Sequence, residues 1–264
     1  MSMYSELIGV IHTLKAYCTG ANESTDQDND NPDLSITHFY KTEFYNEGWM
    51  LKLALSKMLE FDEDKFKGDL SIIRKALANG WASEGRLSPA FTNEHSTHAD
   101  AILGNIEISS KTKWRVEPQK KNGLFVVIEA KLGSALSPGV KSDKKFDQAS
   151  RTLACMATAM LKAKFEGEAH FFVIMPERDK RFSVLDKLLN KEKGECFKGK
   201  ASREETNEKH KLKLENRNQI EEFKNCVERI TCHLLDWGKI SDQLNDHALT
   251  TFYTEALSAN GLKR

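Results

Sequence analysis

The sequence has no excess of either charge and no long hydrophobic run. Its 264 residues contain 39 Lys plus Arg and 39 Asp plus Glu, so the formal net charge is zero. A zero balance gives no indication of a nucleic-acid or membrane partner, and any basic binding surface must be local. No apolar run approaches the ~18 residues that a membrane-spanning helix needs, which argues against an integral membrane protein.

Cysteine is also scarce and gives no sign of cross-linking. The five cysteines are odd in number, and none is part of a C-x-x-C pair, which argues against a disulfide framework and a zinc ribbon. The first sixteen residues contain no basic segment and no small-residue cleavage site. We therefore expect a cytoplasmic protein whose thiols are reduced and mostly pack in its interior.

The residues that are present favour a globular protein with one large core. The sequence is 30% charged and 39% hydrophobic, which is typical of a helix-rich globular chain. A chain of this length can bury one sizeable core, so we expect a single domain over 1–264. Helical spacing of apolar residues predicts a short N-terminal helix over 1–16, a helix from Phe39 to Phe61, and another over Leu70–Ala78 that ends at Asn79-Gly80.

Shorter apolar patterns follow and predict a sheet in the middle of the chain. Turn residues separate four strand-like segments, and a buried strand is expected after the next helix. The predicted fold class is therefore α/β (α+β), a mixed sheet flanked by helices. In chain order the segments are strands within 81–91, 98–108, 111–118 and 124–132, helix 143–165, strand 171–177, helix 182–189, a charged insertion or long exposed helix over 190–217, and C-terminal helices over 218–236 and 246–258.

The segment Val126–Lys131, "VVIEAK", carries the first candidate chemistry. Four residues of buried-strand character lead to Glu129 and Lys131, and the two-residue period of a strand places both side chains on one face. Burying a carboxylate and an ammonium is costly unless each has a partner, such as a metal or an opposite charge. An ordinary Glu–Lys pair at a strand end is the simpler interpretation.

Asp100, in "HADAILG", adds a second carboxylate on another predicted strand. Two carboxylates on adjacent strands make an oxygen-rich site suited to Mg2+, which keeps several waters and binds phosphate oxygens. Lys131 beside them could orient or deprotonate a water molecule. Asp100, Glu129 and Lys131 together predict a hydrolytic site with Asp100 and Glu129 as metal ligands.

These residues resemble the PD-(D/E)XK nuclease superfamily, with a restriction-endonuclease-like core, over roughly residues 39–176. The matches occur in order: a helix with Glu47, a strand with Asp100, the strand with Glu129 and Lys131, and a helix with Gln148 and Arg151. The resemblance implies Mg2+ or Mn2+ as cofactor, Glu47 assisting the metal or water, and Gln148 and Arg151 positioning a phosphate. The proline that precedes the first acid in the superfamily is replaced by Ala99.

The helix over 143–165 supports this assignment through its own pattern. An apolar stripe occupies one side, while Lys144, Gln148, Arg151 and Lys162 fall together on another. Gln and Arg on one line can bind a carboxylate or phosphate, although a solvent-facing stripe has the same pattern. We also expect lysines that flank the motif to attract a nucleic-acid backbone, among them Lys120, Lys121, Lys141, Lys144 and Lys145.

Several alternatives stay open in the sequence. Glu117 could replace Asp100 as the first acid, because the gap from Asp100 to Glu129 is longer than a hairpin needs. Glu43 could replace Glu47 on the first long helix. His95 and His98 form an H-x-x-H pair, and Asp26, Asp28 and Asp30 resemble the start of an EF-hand loop, but further ligands of zinc or calcium are missing from both patterns.

The expected function is a Mg2+-dependent nuclease that hydrolyses phosphodiester bonds, with DNA as its nucleic-acid partner and repair, restriction or phage defence as its setting. The alternative from another class is a non-catalytic module that uses the same scaffold to bind nucleic acid or protein. An unrelated α/β enzyme is a third interpretation, which a different order of helices and strands would favour.

Overall fold

A computed structural model describes most of the chain. The described residues are 3–15, 45–92, 94, 96–109, 115–119, 122–133, 147–179, 181–183, 186, 195–203, 205–207, 210–214 and 216–262.

A seven-stranded mixed sheet lies at the centre of the fold, in the order β3-β4-β1-β2-β5-β6-β9. The pairs β1/β2, β2/β5 and β3/β4 are antiparallel, whereas β1/β4, β5/β6 and β6/β9 are parallel. A separate antiparallel hairpin contains β7 and β8. The strands are β1 (Trp81–Leu87), β2 (Thr97–Gly104), β3 (Ile106–Ser109), β4 (Arg115–Pro118), β5 (Leu124–Ala130), β6 (Glu168–Met175), β7 (Glu205–Asn207), β8 (His210–Lys211) and β9 (Ile230–Asp236).

Capping residues explain where many of the helices begin. In five helices the side chain of the capping residue accepts a hydrogen bond from a backbone N–H in the first turn, which satisfies a donor that the helix leaves unpaired. The capping residues are Asn46, Asp147, Asn216, Asp236 and Asp246. The helices are α1 (Met3–Lys15), α2 (Glu47–Met58), α3 (Asp69–Asn79), α4 (Gln148–Ala163), α5 (Glu195–Ala201), α6 (Arg217–Arg229), α7 (Trp237–Leu244) and α8 (His247–Ala259), and a 3-10 turn spans Glu63–Lys65.

Helices cover both faces of the sheet, and each face has its own hydrophobic core. Along β5, Val126 and Ile128 belong to the core that includes apolar residues of α2, α3, α7 and α8, whereas Phe125 and Val127 belong to the core that includes those of α4 and α6. This alternation follows from the two-residue period of a strand that is buried on both faces. The prediction of an α/β fold with a mixed sheet flanked by helices is confirmed.

The C-terminal region differs from its prediction. Residues 218–236 do not form one helix, because α6 ends at Arg229 and β9 follows it directly and pairs in parallel with β6. The apolar spacing of Phe223, Val227 and Ile230 continues a helical period past the end of the helix, so periodicity alone misses the boundary. The pattern also misses α7, which begins after the capping residue Asp236.

The charged insertion is not a long exposed helix in its described part. It contains the short helix α5 and the β7/β8 hairpin, and Ala201 and Leu212 are buried. The two predicted helices over 39–61 and 143–165 begin later in the described structure, at Glu47 and Gln148, and residues 39–44 and 143–146 lie outside the described part. In the described ranges, no helix is long and apolar enough to cross a membrane.

Candidate active site

Asp100 and Glu129 are brought to one position of the sheet by the register of β2 and β5. Ala101 pairs with Ile128 in this antiparallel ladder, so the next position along places Asp100 opposite Glu129. Residues that lie opposite each other in an antiparallel pair project from the same face of the sheet. Glu129 also continues the row of Phe125 and Val127, which faces α4.

Glu129 is buried and well bonded. Its residue exposure is 0%. Thr152 Oγ1 donates a hydrogen bond to Glu129 Oε1 (2.7 Å), and Gln148 Nε2 donates one to Glu129 Oε2 (3.0 Å). Gln148 and Thr152 are four residues apart on α4, so both side chains lie on the helix side that meets β5. Burial first, and then the charge of Asp100, raise the pKa of Glu129 to about 7 against the opposing effect of Lys131.

Lys131 lies between the two carboxylates. Its Nζ is 3.6 Å from Glu129 Oε2 and 3.8 Å from Asp100 Oδ2. The backbone of Lys131 is held on both sides, because its N–H donates to Ile174 O (2.7 Å) and its carbonyl accepts from Trp237 Nε1 (3.0 Å). Trp237 is the first residue of α7, so the C-terminal helices help to fix the position of the lysine.

Asp100 is partly buried and has a second contact with the E-x-K segment. The backbone N–H of Ala130 donates to Asp100 Oδ2 (2.6 Å). Burial raises the pKa of Asp100 although the ammonium of Lys131 and this hydrogen bond lower it, and the carboxylates of Glu84 and Glu47 raise it further. Asp100 therefore lies near one ammonium, that of Lys131, and near the additional negative charge of Glu84 and Glu47.

Glu47 and Glu84 contribute this additional negative charge. Glu47 is the first residue of α2. Glu84 lies on β1 opposite Asp100, since Ser83 pairs with Ala101 and Gly85 with Ala99. The backbone of Glu84 has a φ of 53°, which is uncommon for a residue other than glycine. A β-carbon added at Gly48 would lie 3.5 Å from Glu84 Oε1, which places this carboxylate beside the first turn of α2.

Sequence reasoning missed three residues of this site: Glu84, Thr152 and Trp237. Gly85 inside a strand pattern is a signal for a bulge and could have drawn attention to Glu84. Thr152 follows Gln148 at the helical spacing of four residues and could have been included with it. No local signal connects Trp237 to Lys131, because the two residues are 106 positions apart.

Arg151 is paired with an acid outside the Asp100–Glu129 site. Its Nε lies 3.1 Å from Glu94 Oε1, and the side chain of Glu94 is only 1% exposed. Arg151 therefore forms an ion pair with a buried acid of the segment between β1 and β2, whereas its neighbours on α4, Gln148 and Thr152, bond to Glu129. The flanking lysines Lys120, Lys121, Lys141, Lys144 and Lys145 lie outside the described residues.

The rival acids are separated from the site or lie outside the described chain. Glu117 pairs with Glu107 on the edge strand, and β1 and β2 lie between its strand and β5. The geometry therefore places Asp100, and not Glu117, next to Glu129. His98 is exposed on β2. Glu43, His95 and the residues Asp26, Asp28 and Asp30 lie outside the described part.

The chemistry of the donors fits a hydrated Mg2+ better than a fully protein-bound ion. Among the described residues, no group of three or more His, Cys, Asp or Glu side chains could hold a metal ion. Mg2+ is commonly bound through only one or two carboxylates and keeps its waters, so the Asp100–Glu129 pair meets that requirement. Within the described part of the chain, Asp100 Oδ1 accepts no hydrogen bond, which leaves this oxygen available to a ligand.

No family model, curated protein or solved structure matches this chain.

Proposed function

We propose that this protein is a Mg2+-dependent nuclease that hydrolyses phosphodiester bonds, with DNA as its substrate. The observation that carries the proposal is the position of Lys131 Nζ, within 4.0 Å of both Glu129 and Asp100. Two acids and a lysine that are buried together have a high cost of desolvation. Such a cost is expected where the charges serve catalysis, and a non-catalytic module would have no need of them.

The order of elements around the site also supports a restriction-endonuclease-like core. Helix α2, which carries Glu47, and helix α3 precede the antiparallel strands β1 and β2, β5 carries the E-x-K segment, α4 follows it, and β6 returns parallel to β5. This is the sequence of helix, strands, E-x-K strand and helix that the resemblance to the PD-(D/E)XK superfamily implies. The β3/β4 pair, β9 and the C-terminal helices are additions to that core.

Asp100 and Glu129 would hold the metal, and Mn2+ would substitute for Mg2+. When bound, the ion would supply positive charge to the phosphate and lower the pKa of a water molecule. The carboxylates of Glu84 and Glu47 act on Asp100, whose pKa both raise. Glu47 would assist by accepting a hydrogen bond from water near Asp100.

The residues of the chain would act mainly by holding and orienting groups. Gln148 and Thr152 fix both oxygens of Glu129, so the carboxylate cannot rotate away from the site. Lys131 would orient the attacking water. As a neutral amine it would take up the proton that the water loses, and the ammonium so formed would lie between the carboxylates of Glu129 and Asp100. Arg151 would reach a phosphate only by leaving Glu94, so we assign it a secondary role in substrate binding.

Cleavage of DNA by the purified full-length chain tests the proposal. We expect supercoiled plasmid to be nicked or linearised in Mg2+ or Mn2+ and to remain intact in EDTA. Glu129→Gln should remove most of the activity, because the glutamine is of similar size but carries no negative charge. If wild-type protein leaves plasmid, linear duplex and single-stranded DNA intact in both metals, the nuclease proposal fails and the binding-module alternative replaces it.

A further inference from the structure

A cavity of about 750 Å³ lies between α7, α8 and the segment that follows β6. It is separate from the Asp100–Glu129 pair, since neither carboxylate lines it. A cavity of this volume is within the range of pockets that enclose a small-molecule ligand. The lining side chains that carry its chemistry are Glu177, Arg178, Lys239, Asp242, Tyr253 and Leu257.

The cavity lies at the same edge of the sheet as Lys131. Strands β5, β6 and β9 are parallel, and Ala130 on β5 pairs with Ile174, which pairs with Leu235 on β9. The next residue along β9, Asp236, lines the cavity. Because neighbouring strands are about 4.8 Å apart, the backbones of Lys131 and Asp236 are separated by about 10 Å. The carboxyl ends of parallel strands form the edge at which open α/β sheets commonly bind ligands.

The first turn of α7 connects the cavity to the candidate active site. Trp237 Nε1 donates to the backbone carbonyl of Lys131 (3.0 Å), and Lys239, two residues later, lines the cavity. Asp236 holds this wall together, because its Oδ1 accepts from Glu177 N (2.8 Å) and its Oδ2 accepts from Lys239 N (3.1 Å). Both oxygens of Asp236 are therefore already bonded to the protein.

Four other charged side chains of the wall are unpaired. Within the described part of the chain, the side chains of Glu177, Arg178, Lys239 and Asp242 form no salt bridge and no hydrogen bond, although all four line one cavity. Two of these side chains are cations and two are acids. The wall therefore suits a ligand that has an anionic group for the cations and hydrogen-bond donors for the acids.

The chemistry of this wall fits a nucleoside monophosphate. Its phosphate is the kind of anion that Arg178 and Lys239 bind, the arginine in a bidentate manner. Its sugar hydroxyls and base amino group are donors that the carboxylates of Glu177 and Asp242 can accept. Tyr253 supplies an aromatic ring of the kind on which bases stack. Inorganic phosphate alone would use the cations and leave the ring and the acids without a partner.

We propose that this cavity binds a nucleoside monophosphate, with its phosphate on Arg178 and Lys239 and its base against Tyr253. The proposal rests on the proposed nuclease function for the source of the ligand, because hydrolysis of a phosphodiester bond leaves a nucleotide with a terminal phosphate. The binding site itself is about 10 Å from Lys131 along the sheet edge, and it uses none of the residues assigned to cleavage.

The test is isothermal titration calorimetry of the full chain with deoxyadenosine 5′-monophosphate in EDTA. Arg178→Gln with Lys239→Gln should weaken binding by about tenfold or more, because two charged donors to the phosphate are lost. The control is Lys67→Gln with Arg203→Gln, which removes the same charges from exposed positions that do not line the cavity. The control pair should bind the nucleotide as wild type does.

Two further variants identify the position of the base and of the whole ligand. Tyr253→Leu should weaken binding by about tenfold, because the stacking surface is lost, whereas Tyr253→Phe keeps the ring and should retain most of the affinity. Glu129→Gln should bind the nucleotide as wild type does, since Glu129 lies outside the cavity. If Tyr253→Leu does not fold, the Arg178/Lys239 pair decides the result by itself.

Nucleotide binding and cleavage can fail independently. Absence of binding to wild type, or an equal loss in the Lys67/Arg203 control, would overturn the cavity assignment while leaving cleavage of plasmid untouched. Binding that Glu129→Gln loses and the Arg178/Lys239 variant keeps would place the nucleotide in the candidate active site and overturn it as well. Inorganic phosphate that binds as tightly as the nucleotide would overturn the role of Tyr253. Binding in the cavity without cleavage in Mg2+ would support this site and refute the nuclease.

Discussion

Thr152 Oγ1 donates a hydrogen bond of 2.7 Å to Glu129 Oε1, and both residues have 0% exposure. Glu129 is thereby tied to α4 as well as to its own strand. The bond holds a buried carboxylate in one orientation, as the proposed role of Glu129 in binding the metal requires. In the proposed mechanism Thr152 is a positioning residue, since it acts through Glu129.

Thr152→Val should show this role, because valine keeps the shape of threonine and removes the donor. We expect a loss of about 1–3 kcal/mol in the free energy of unfolding, as one hydrogen bond to a charged group disappears. Cleavage should slow through kcat, with KM little changed. Thr158→Val is the matched control, since Thr158 is buried on the same helix but bonds to the backbone carbonyl of Ala154 (2.9 Å). Equal effects of both variants on kcat would refute the positioning role.

The stability of the metal-free protein should depend on pH through Glu129. Its pKa is raised to about 7 in the folded protein, so the folded state binds a proton more tightly than the unfolded chain does. This contribution favours folding below the unfolded pKa of about 4.3 and is lost as the pH rises through 7. We expect a difference of up to about 3 kcal/mol between acidic and alkaline conditions.

Denaturant unfolding in EDTA between pH 5 and 8 measures this contribution. Subtracting the unfolding free energy of Glu129→Gln from that of wild type at each pH isolates the contribution of Glu129, because the other titrating groups are common to both proteins. The difference curve should fall with rising pH. A flat difference curve would mean that Glu129 is not held in a desolvated site.

Much of the fold could be predicted from the sequence because its signals are local. The helix that ends at Asn79-Gly80 and the strand that leads to Glu129 depend on short patterns, and both are present. The pair of Asp100 and Glu129 depends on strand register, which apolar alternation constrains. Contacts between distant segments had no such signal. The ion pair of Arg151 with Glu94 and the bond of Trp237 to Lys131 arise only when separate segments pack together.

A second dependence of stability on pH should come from the side chains of His170, His233 and Asp69, which contact one another in series. His170 Nδ1 lies 3.0 Å from His233 Nε2, and His233 Nδ1 lies 3.1 Å from Asp69 Oδ1. Burial and then the charge of His233 lower the pKa of His170, while Glu168 and Asp69 oppose this effect. The unfolded chain therefore binds the proton more readily, so stability should rise with pH and be lost as pH falls below about 6.5.

Comparison of wild type with His170→Gln by denaturant unfolding at pH 5 to 7 checks this effect. The variant should have the flatter dependence of unfolding free energy on pH. His247→Gln, an exposed histidine at the start of α8, should retain the wild-type slope. If His170→Gln keeps the wild-type slope as well, the proton is taken up elsewhere.

Metal binding should appear as a change in melting temperature. Mg2+ would bind only the folded site, so rising Mg2+ should raise the melting temperature of wild type. Asp100→Asn should lose most of this response, and in EDTA it should melt at or slightly above the wild-type temperature because repulsion among the acids is relieved. Glu117→Gln is the control, since strands β1 and β2 separate Glu117 on β4 from Glu129 on β5. Loss of the response in Glu117→Gln alone would transfer the metal site to that strand.

The most direct test of the central claim is the rate of DNA cleavage by Lys131→Ala in Mg2+ at saturating DNA. Lys131 Nζ lies within 4.0 Å of both carboxylates, so its removal takes away the group proposed to handle the proton of water. We predict a fall in rate of about 10²-fold or more, with affinity for DNA in EDTA unchanged and a folded circular-dichroism spectrum. Cleavage at the wild-type rate by the folded Lys131→Ala protein would contradict the proposed mechanism.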